Sequence, residues 1–112
     1  MPGSRRPRQP GHRTRRLLIR GQVWRLCEFA GDAPPGEKGR LHGLCDYVRR
    51  IIWVSACHRS QLDRLDTLVH EVLHAALPDL DETAVGEVAN AIAVAIAADL
   101  TRPTGEGHHR QG

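Results

Sequence analysis

The run SQLDRLDTLVHEVLHAALPDLDETAV, residues 60 to 85, carries the clearest structural signal in this chain. Ser60 and Asp63 form a start signal related to the helix capping box, and Pro78 is expected to end the helix near Leu77. The apolar residues between them recur at steps of three and four, which places them on one face of a helix. They are Leu62, Leu65, Leu68, Val69, Val72, Leu73 and Ala76. The run therefore predicts one amphipathic helix.

A second helix is predicted after a link of only a few residues. Asp79 and Glu82 supply another start signal, and the helix is expected to run to about Leu100. Its predicted inward stripe consists of Val85, Val88, Ala89, Ile92 and Ile96. Two helices joined by so short a link must fold back on each other, so we expect an antiparallel pair.

The residues before the helix pair predict strands. LLIRGQVWRLCE, residues 17 to 28, alternates around Gly21 and is typical of two short strands joined by a tight turn. GDAPPGEKGR, residues 31 to 40, predicts an exposed loop, and the clearest later strand is Ile51 to Val54. The predicted fold class is α+β: a small antiparallel sheet of three to four strands, followed by the first helix and an antiparallel C-terminal helix.

The chain has 112 residues, enough for one small domain. Residues 1–16 and 101–112 have few apolar side chains and are predicted to be a disordered basic arm and a disordered tail, with residues 17–100 forming the folded domain. The formal net charge is +3. Six arginines fall in the arm, which can contact nucleic acid or simply be solvated. They are Arg5, Arg6, Arg8, Arg13, Arg15 and Arg16.

The cysteines and the apolar segments bear on localisation. Cys27, Cys45 and Cys57 are an odd number without C-x-x-C spacing, and no apolar segment near the N-terminus resembles a signal peptide. These features favour a reducing cytoplasm. The longest apolar stretch, residues 91 to 98, is too short to span a bilayer, so no membrane association is expected.

Within the first helix, HEVLH, residues 70 to 74, places two imidazoles one turn apart and away from the centre of the apolar stripe. Two neutral imidazoles at this spacing can bind one Zn²⁺. Glu71 also points away from the stripe, where its carboxylate can reach a water held by the metal. We therefore predict that Glu71 is a general base in peptide hydrolysis and not a ligand. The alternative is a chance pair of histidines on an ordinary amphipathic helix.

A catalytic zinc needs a third protein ligand, which HEVLH does not supply. Glu82 is expected at the start of the second helix and on its inward face, beside His74, and is therefore the predicted third ligand. Glu87, Asp81 and Asp79 are the alternatives. Glu82 can also be read as a capping residue bonded to the Asp79 amide.

Other polar and aromatic residues have more ordinary interpretations. Asp66 lies one turn before His70 and can accept its other ring proton, although a solvated surface position is the simpler reading. His58 has no partner at ligand spacing and is not expected to bind metal. Trp24 and Trp53 are expected in the core and the sheet.

The run TLVHEVLHAALPDLDETAV resembles the minimal zincin-type metallopeptidases, the group that includes the SprT-like and ImmA/IrrE-like proteins and short phage-borne relatives. The likeness covers residues 41 to 100. It implies a zinc-dependent peptidase with a narrow set of protein substrates, in which His70 and His74 bind zinc and Glu71 is catalytic. It also implies that an edge strand pairs with the substrate backbone, a role that falls on IIWVSA, residues 51 to 56.

The likeness is incomplete. The third ligand varies within the group, so Glu82 is only a loose match. No G-x-x-H follows His74, which excludes the metzincin pattern, and the zinc ribbon of some SprT-like proteins is absent from the sequence. The match is therefore to a bare catalytic core.

The competing hypothesis is a non-catalytic module that binds nucleic acid or protein, with a structural metal or none. Glu71 separates the two hypotheses, because a structural zinc has no use for a carboxylate beside its first histidine. Such a zinc prefers four protein ligands, typically including a cysteine. The cysteines lie outside the predicted helix pair, so the sequence favours the peptidase.

Overall fold

A four-stranded sheet and two helices make up the described part of the chain, residues 14–101, in the computed structural model. The elements are β1 (Thr14–Ile19), β2 (Gln22–Phe29), β3 (Gly43–Asp46), β4 (Ile51–Ser55), α1 (Gln61–Ala76) and α2 (Glu82–Leu100). This architecture confirms the α+β class and the order of its elements. Most of the predicted arm and tail, residues 1–13 and 102–112, lies outside the described residues.

β1 and β2 form the predicted hairpin. The two turn residues, Arg20 and Gly21, both have positive φ, 50° and 81°, the combination that matches the twist of the flanking strands. β1 begins at Thr14, three residues before the predicted domain boundary, because pairing with β2 continues to Thr14 opposite Cys27.

The sheet is mostly antiparallel, as predicted, but it includes one parallel pair of strands and is therefore mixed. Its strand order is β1-β2-β4-β3, with β4 parallel to β2 and antiparallel to β3. β4 is therefore an interior strand, and the expectation that residues 51–56 form the free edge is wrong. Its burial explains this position, because Ile51, Ile52, Val54 and Ser55 are buried and an interior strand has both faces covered. The free edge on this side of the sheet is β3.

The main core lies between the sheet and α1. Ile19, Trp24, Ile52 and Val54 are buried there, and α1 covers them with partly buried side chains, namely Leu68, Val72, Ala75 and Ala76. Trp24 is thus a core residue, as predicted. On the opposite face of the sheet, Trp53 packs edge-on against Phe29, with ring centroids 6.4 Å apart. The loop predicted at residues 31 to 40 is mostly exposed, although Pro34 within it is fully buried.

The ends of the helices follow local capping rules. The Ser60 side chain accepts a hydrogen bond from the Asp63 amide at 3.0 Å, and α1 ends before Leu77 and Pro78, as predicted. The predicted start of the second helix at Asp79 is wrong. Asp81 is the N-cap, and its carboxylate accepts from the Ala84 amide at 2.8 Å.

α2 packs along α1 through small side chains. Val85, Ala89 and Ala93 are its buried residues, whereas Val88, Ile92 and Ile96, which were also predicted to point inward, remain exposed. By length and composition alone, the whole of α2 is long and apolar enough to cross a membrane. Its longest uninterrupted apolar stretch, residues 91 to 98, is too short to do so by itself.

The approach of α1 to the sheet edge depends on Gly43. A Cβ atom at this position would lie 2.7 Å from Thr67 Cγ2, 3.0 Å from Glu71 Cγ and 3.0 Å from the Trp53 carbonyl oxygen. Any larger residue would therefore push α1 away from β3.

We expect Gly43→Ala to lower the free energy of unfolding by about 1–3 kcal/mol in urea denaturation, the usual cost of overpacking. Gly86→Ala is the matched control: its added Cβ meets nothing within 4 Å, and alanine is the better helix former by up to about 1 kcal/mol. The double variant Gly43→Ala, Thr67→Ala lacks the closest atom, Thr67 Cγ2, and should recover part of the stability that Gly43→Ala loses. Equal stability of the two single variants would contradict this account.

His58 lies three residues before the start of α1 and has a buried side chain. Its side chain is 3% exposed, and within the described residues neither ring nitrogen has a hydrogen-bond partner. Burial lowers the pKa of His58 below its ordinary value, more than the Asp63 carboxylate, 3.9 Å away, raises it. Burial therefore favours the neutral form of the imidazole.

Because the unfolded chain binds a proton at His58 at higher pH than the folded chain does, acidification below about pH 6.5 should destabilise the fold. We expect the free energy of unfolding, measured from pH 7 down to pH 5, to fall less steeply for His58→Phe than for wild type. His42→Gln removes an exposed ring 5.9 Å from His58 that contributes less than burial to lowering the His58 pKa, so this variant should retain most of the slope. An unchanged slope in His58→Phe would refute this assignment.

Candidate metal centre

Three side chains from the two helices meet beside the edge of the sheet. His70 Nε2 lies 3.0 Å from one carboxylate oxygen of Glu82, and His74 Nε2 lies 2.9 Å from the other. The two Nε2 atoms are 3.2 Å apart. Among the described residues, these three form the group of histidine, cysteine and acidic side chains with donor atoms close enough to hold one metal ion.

The spacing of these donor atoms fits a divalent ion of the size of zinc. Ligands bound tetrahedrally at 2.0–2.2 Å lie roughly 3.3 Å from one another, close to the spacing of His70, His74 and Glu82. The same distances also suit hydrogen bonds between imidazole N–H groups and a carboxylate. Two neutral imidazole nitrogens and one carboxylate are a common donor set for zinc, so the residues present fit such an ion.

Local structure brings the three residues together. His70 and His74 are one helical turn apart on α1, and the link after Leu77 is so short that α2 starts beside them. Because Asp81 caps α2, Glu82 is the first helical residue and its side chain can turn back toward α1.

The alternatives to Glu82 do not reach the donor atoms. The Asp81 carboxylate is used as the helix cap, and Glu87 and Asp79 are not part of the group. The reading of Glu82 as a capping residue fails for the same reason, because the cap is Asp81.

Glu71 lies next to this group and against Gly43 of β3. Burial raises the pKa of its carboxyl above the ordinary value, and the nearby His70 and His74 only partly offset this effect. Glu71 is thus a carboxylate of increased basicity that is not a member of the donor group.

Two connected depressions flank Gly43 and share His70 and Glu71. One, of about 330 Å³, is also lined by Leu44, Cys45, Tyr47, His74 and Glu82. The other, of about 210 Å³, is also lined by His42, Asp66 and Thr67. Together they form an open groove along the β3 edge. No lysine or arginine of the described chain lines it, whereas three carboxylates do.

Tyr47 is part of the site, although no pattern in the sequence predicted it there. Its hydroxyl donates to the His74 carbonyl oxygen at 2.9 Å, and its ring packs edge-on against Trp24. In an uninterrupted helix that carbonyl would accept from residue 78, but Pro78 has no N–H. Pro78 therefore signalled an unpaired carbonyl, but nothing in the sequence indicated that Tyr47 would supply the donor.

Cys45 and Asp66 lie in the groove without joining the donor group. Burial is the main cause that raises the pKa of the Cys45 thiol to about 11, so it remains protonated at neutral pH. Asp66 forms no hydrogen bond to His70 among the described residues, so the predicted orienting contact is absent there.

No family model, no curated protein and no solved structure matches this chain. The likeness to zincin-type metallopeptidases rests on HEVLH and the acidic residues that follow it. The function is therefore inferred from these residues and their geometry.

Removal of the Glu82 carboxylate tests the donor group. We expect Glu82→Gln to weaken Zn²⁺ binding at least about tenfold, because an anionic donor becomes a weak neutral one. Competition with a chromophoric chelator measures the affinity. Glu87→Gln makes the same change of charge on the same helix outside the group and should leave the affinity unchanged. Equal effects of the two substitutions, or no zinc binding by wild type, would refute the site.

Proposed function

We propose that this protein is a zinc-dependent metallopeptidase that hydrolyses peptide bonds in a narrow set of protein substrates. The observation that carries the proposal is the convergence of His70, His74 and Glu82 next to Glu71, at the open edge of β3. In this proposal His70, His74 and Glu82 hold the ion, and Glu71 is the general base. The free cysteines fit a reducing compartment, so we place the protein in the cytoplasm.

A bound zinc would polarise the scissile carbonyl and lower the pKa of the water molecule bound to it. The role of Glu71 is to take a proton from the attacking water while the water oxygen forms a bond to the carbonyl carbon. As the C–N bond breaks, Glu71 returns the proton to the leaving amine nitrogen. Its partly buried position supports this role, because the raised pKa of its carboxyl makes it a better base than an exposed glutamate.

The β3 edge supplies a surface for an extended substrate. The Ser55 amide donates to the His42 carbonyl oxygen, so by the alternation of antiparallel pairing the backbone groups of Gly43 and Cys45 point away from β4. A substrate strand can pair with these free N–H and C=O groups and pass beside Glu71. The family likeness implies that an edge strand pairs with the substrate backbone, and in this protein that role would fall on β3 instead of β4.

The shape of the groove supports narrow specificity. Both depressions are shallow and open, and few apolar side chains line them. Such a site has few pockets for substrate side chains, so recognition must draw on the substrate backbone and on contacts farther away.

The non-catalytic alternative requires a closed, four-ligand metal site. Cys45 is the cysteine that lines the same cavity, yet its sulfur is not in the group of donor atoms that lie within 4.8 Å of one another. The three-residue group leaves one position open, which supports a catalytic site over a structural one.

Glu71→Gln is the decisive substitution. We expect it to lower kcat on a peptide library at least about 100-fold, because the general base is lost, while zinc content and melting temperature stay at wild-type values. Mass spectrometry of the digested library measures cleavage, and chelator-treated wild type is the negative control. Zinc-loaded wild type that cleaves neither peptides nor unfolded proteins, or full activity in Glu71→Gln, would contradict the proposal.

A further inference from the structure

α2 carries a line of exposed branched side chains that α1 does not cover. Val88, Ile92 and Ile96 are 41%, 37% and 39% exposed, respectively. Their i, i+4, i+8 spacing places them along one side of the helix, and we call them the α2 stripe. Ala91 and Ala95, also exposed, lie next to the stripe. The stripe is a continuous apolar surface on a helix that packs mainly on one neighbour.

The α2 stripe is also free of charge. Residues 88 to 98 include no charged side chain, and Asn90, their polar member, lies about 160° round the helix from Ile92. A contiguous apolar patch, unlike apolar side chains that are scattered singly over a surface, is a feature of interaction sites.

We propose that the α2 stripe is the contact surface of a homodimer, in which two α2 helices pack antiparallel about a two-fold axis near Ile92. A two-fold interface brings the same surface of both subunits together, so it must be complementary to itself. An uncharged stripe meets this condition without burying a charge. With Ile92 at the axis, Val88 of each chain faces Ile96 of its partner.

The side chains also have a shape that suits close helix packing. The branched residues of the stripe form a ridge, and Ala91 and Ala95 leave a shallow groove beside it. A ridge of one copy can enter the groove of the other, which is the usual way in which helices interlock. Residues 102 to 112, which follow α2, contain no aliphatic side chain except Pro103 and cannot supply an apolar cover.

Charge disfavours a lipid surface as the occupant. α2 has no lysine or arginine, whereas helices that lie on anionic membranes carry basic residues along the polar face. Its charged residues are acidic, namely Glu82, Glu87 and Asp99. Insertion across a bilayer would in addition separate Val85, Ala89 and Ala93 from α1, where they are buried.

Sedimentation equilibrium on the full chain tests the homodimer. The wild-type chain of 12.4 kDa should sediment with twice this mass at micromolar concentrations. Ile92→Glu should raise the dimer dissociation constant at least about 100-fold, because two like charges would be buried at the axis. Val94→Glu is the matched control, since Val94 is 47% exposed on the same helix but about 160° away from Ile92. It should leave the dimer intact.

A charge-swap pair makes the test independent of folding defects. Ile92→Glu and Ile92→Lys should each be monomeric, and an equimolar mixture should form a heterodimer because the opposite charges then meet at the axis. Monomeric wild type, equal dissociation by Ile92→Glu and Val94→Glu, or monomers that bind phosphatidylcholine vesicles would each overturn the proposal. None of these readouts depends on zinc or on peptidase activity.

Discussion

The contact between α1 and the edge strand β3 at Gly43 is the constraint on which the other features of the structure depend. Only hydrogen in place of a side chain lets Thr67 and Glu71 lie directly over the strand. With α1 fixed there, Leu68 and Val72 cover the core on one side of the helix. His70 and His74 then lie on a different side, between the strand edge and the start of α2. A rotation of α1 about its axis would lose the core contacts and the donor group together.

The C-terminal end of α1 is held by donors from outside the helix. Pro78 leaves the His74 carbonyl without its usual partner, and Tyr47 supplies one. Arg20, in the β1–β2 turn, donates to the Ala76 carbonyl oxygen at 3.0 Å. Two distant segments thus fix the turn of α1 that carries His74. Because α2 starts directly after this turn, the same bonds also position Glu82.

The elements that the sequence predicted correctly are those set by local chemistry. Helix periodicity, the Ser60 cap and the stop at Pro78 each depend on neighbouring residues, and the short link forced Glu82 toward His74. The parallel pairing of β4 with β2 joins distant residues, and no local pattern encodes it. Asp79 and Asp81 are both adequate caps in sequence, and only the turn after Leu77 decides between them. Gly43 and Tyr47 were missed because their roles arise from contacts with α1.

The proposed metal site and the proposed dimer contact lie at different positions along α2. Glu82 at its first turn and Ile92 in its second half are ten residues apart, about 15 Å along the axis. An antiparallel pairing centred on Ile92 would place the two Glu82 side chains at opposite ends of the interface, roughly 30 Å apart along it. Each metal group would then face its own β3 edge without contribution from the partner. The dimer would restrain α2, which packs mainly on α1, and would thereby hold Glu82 in place, while the chemistry stays within one chain.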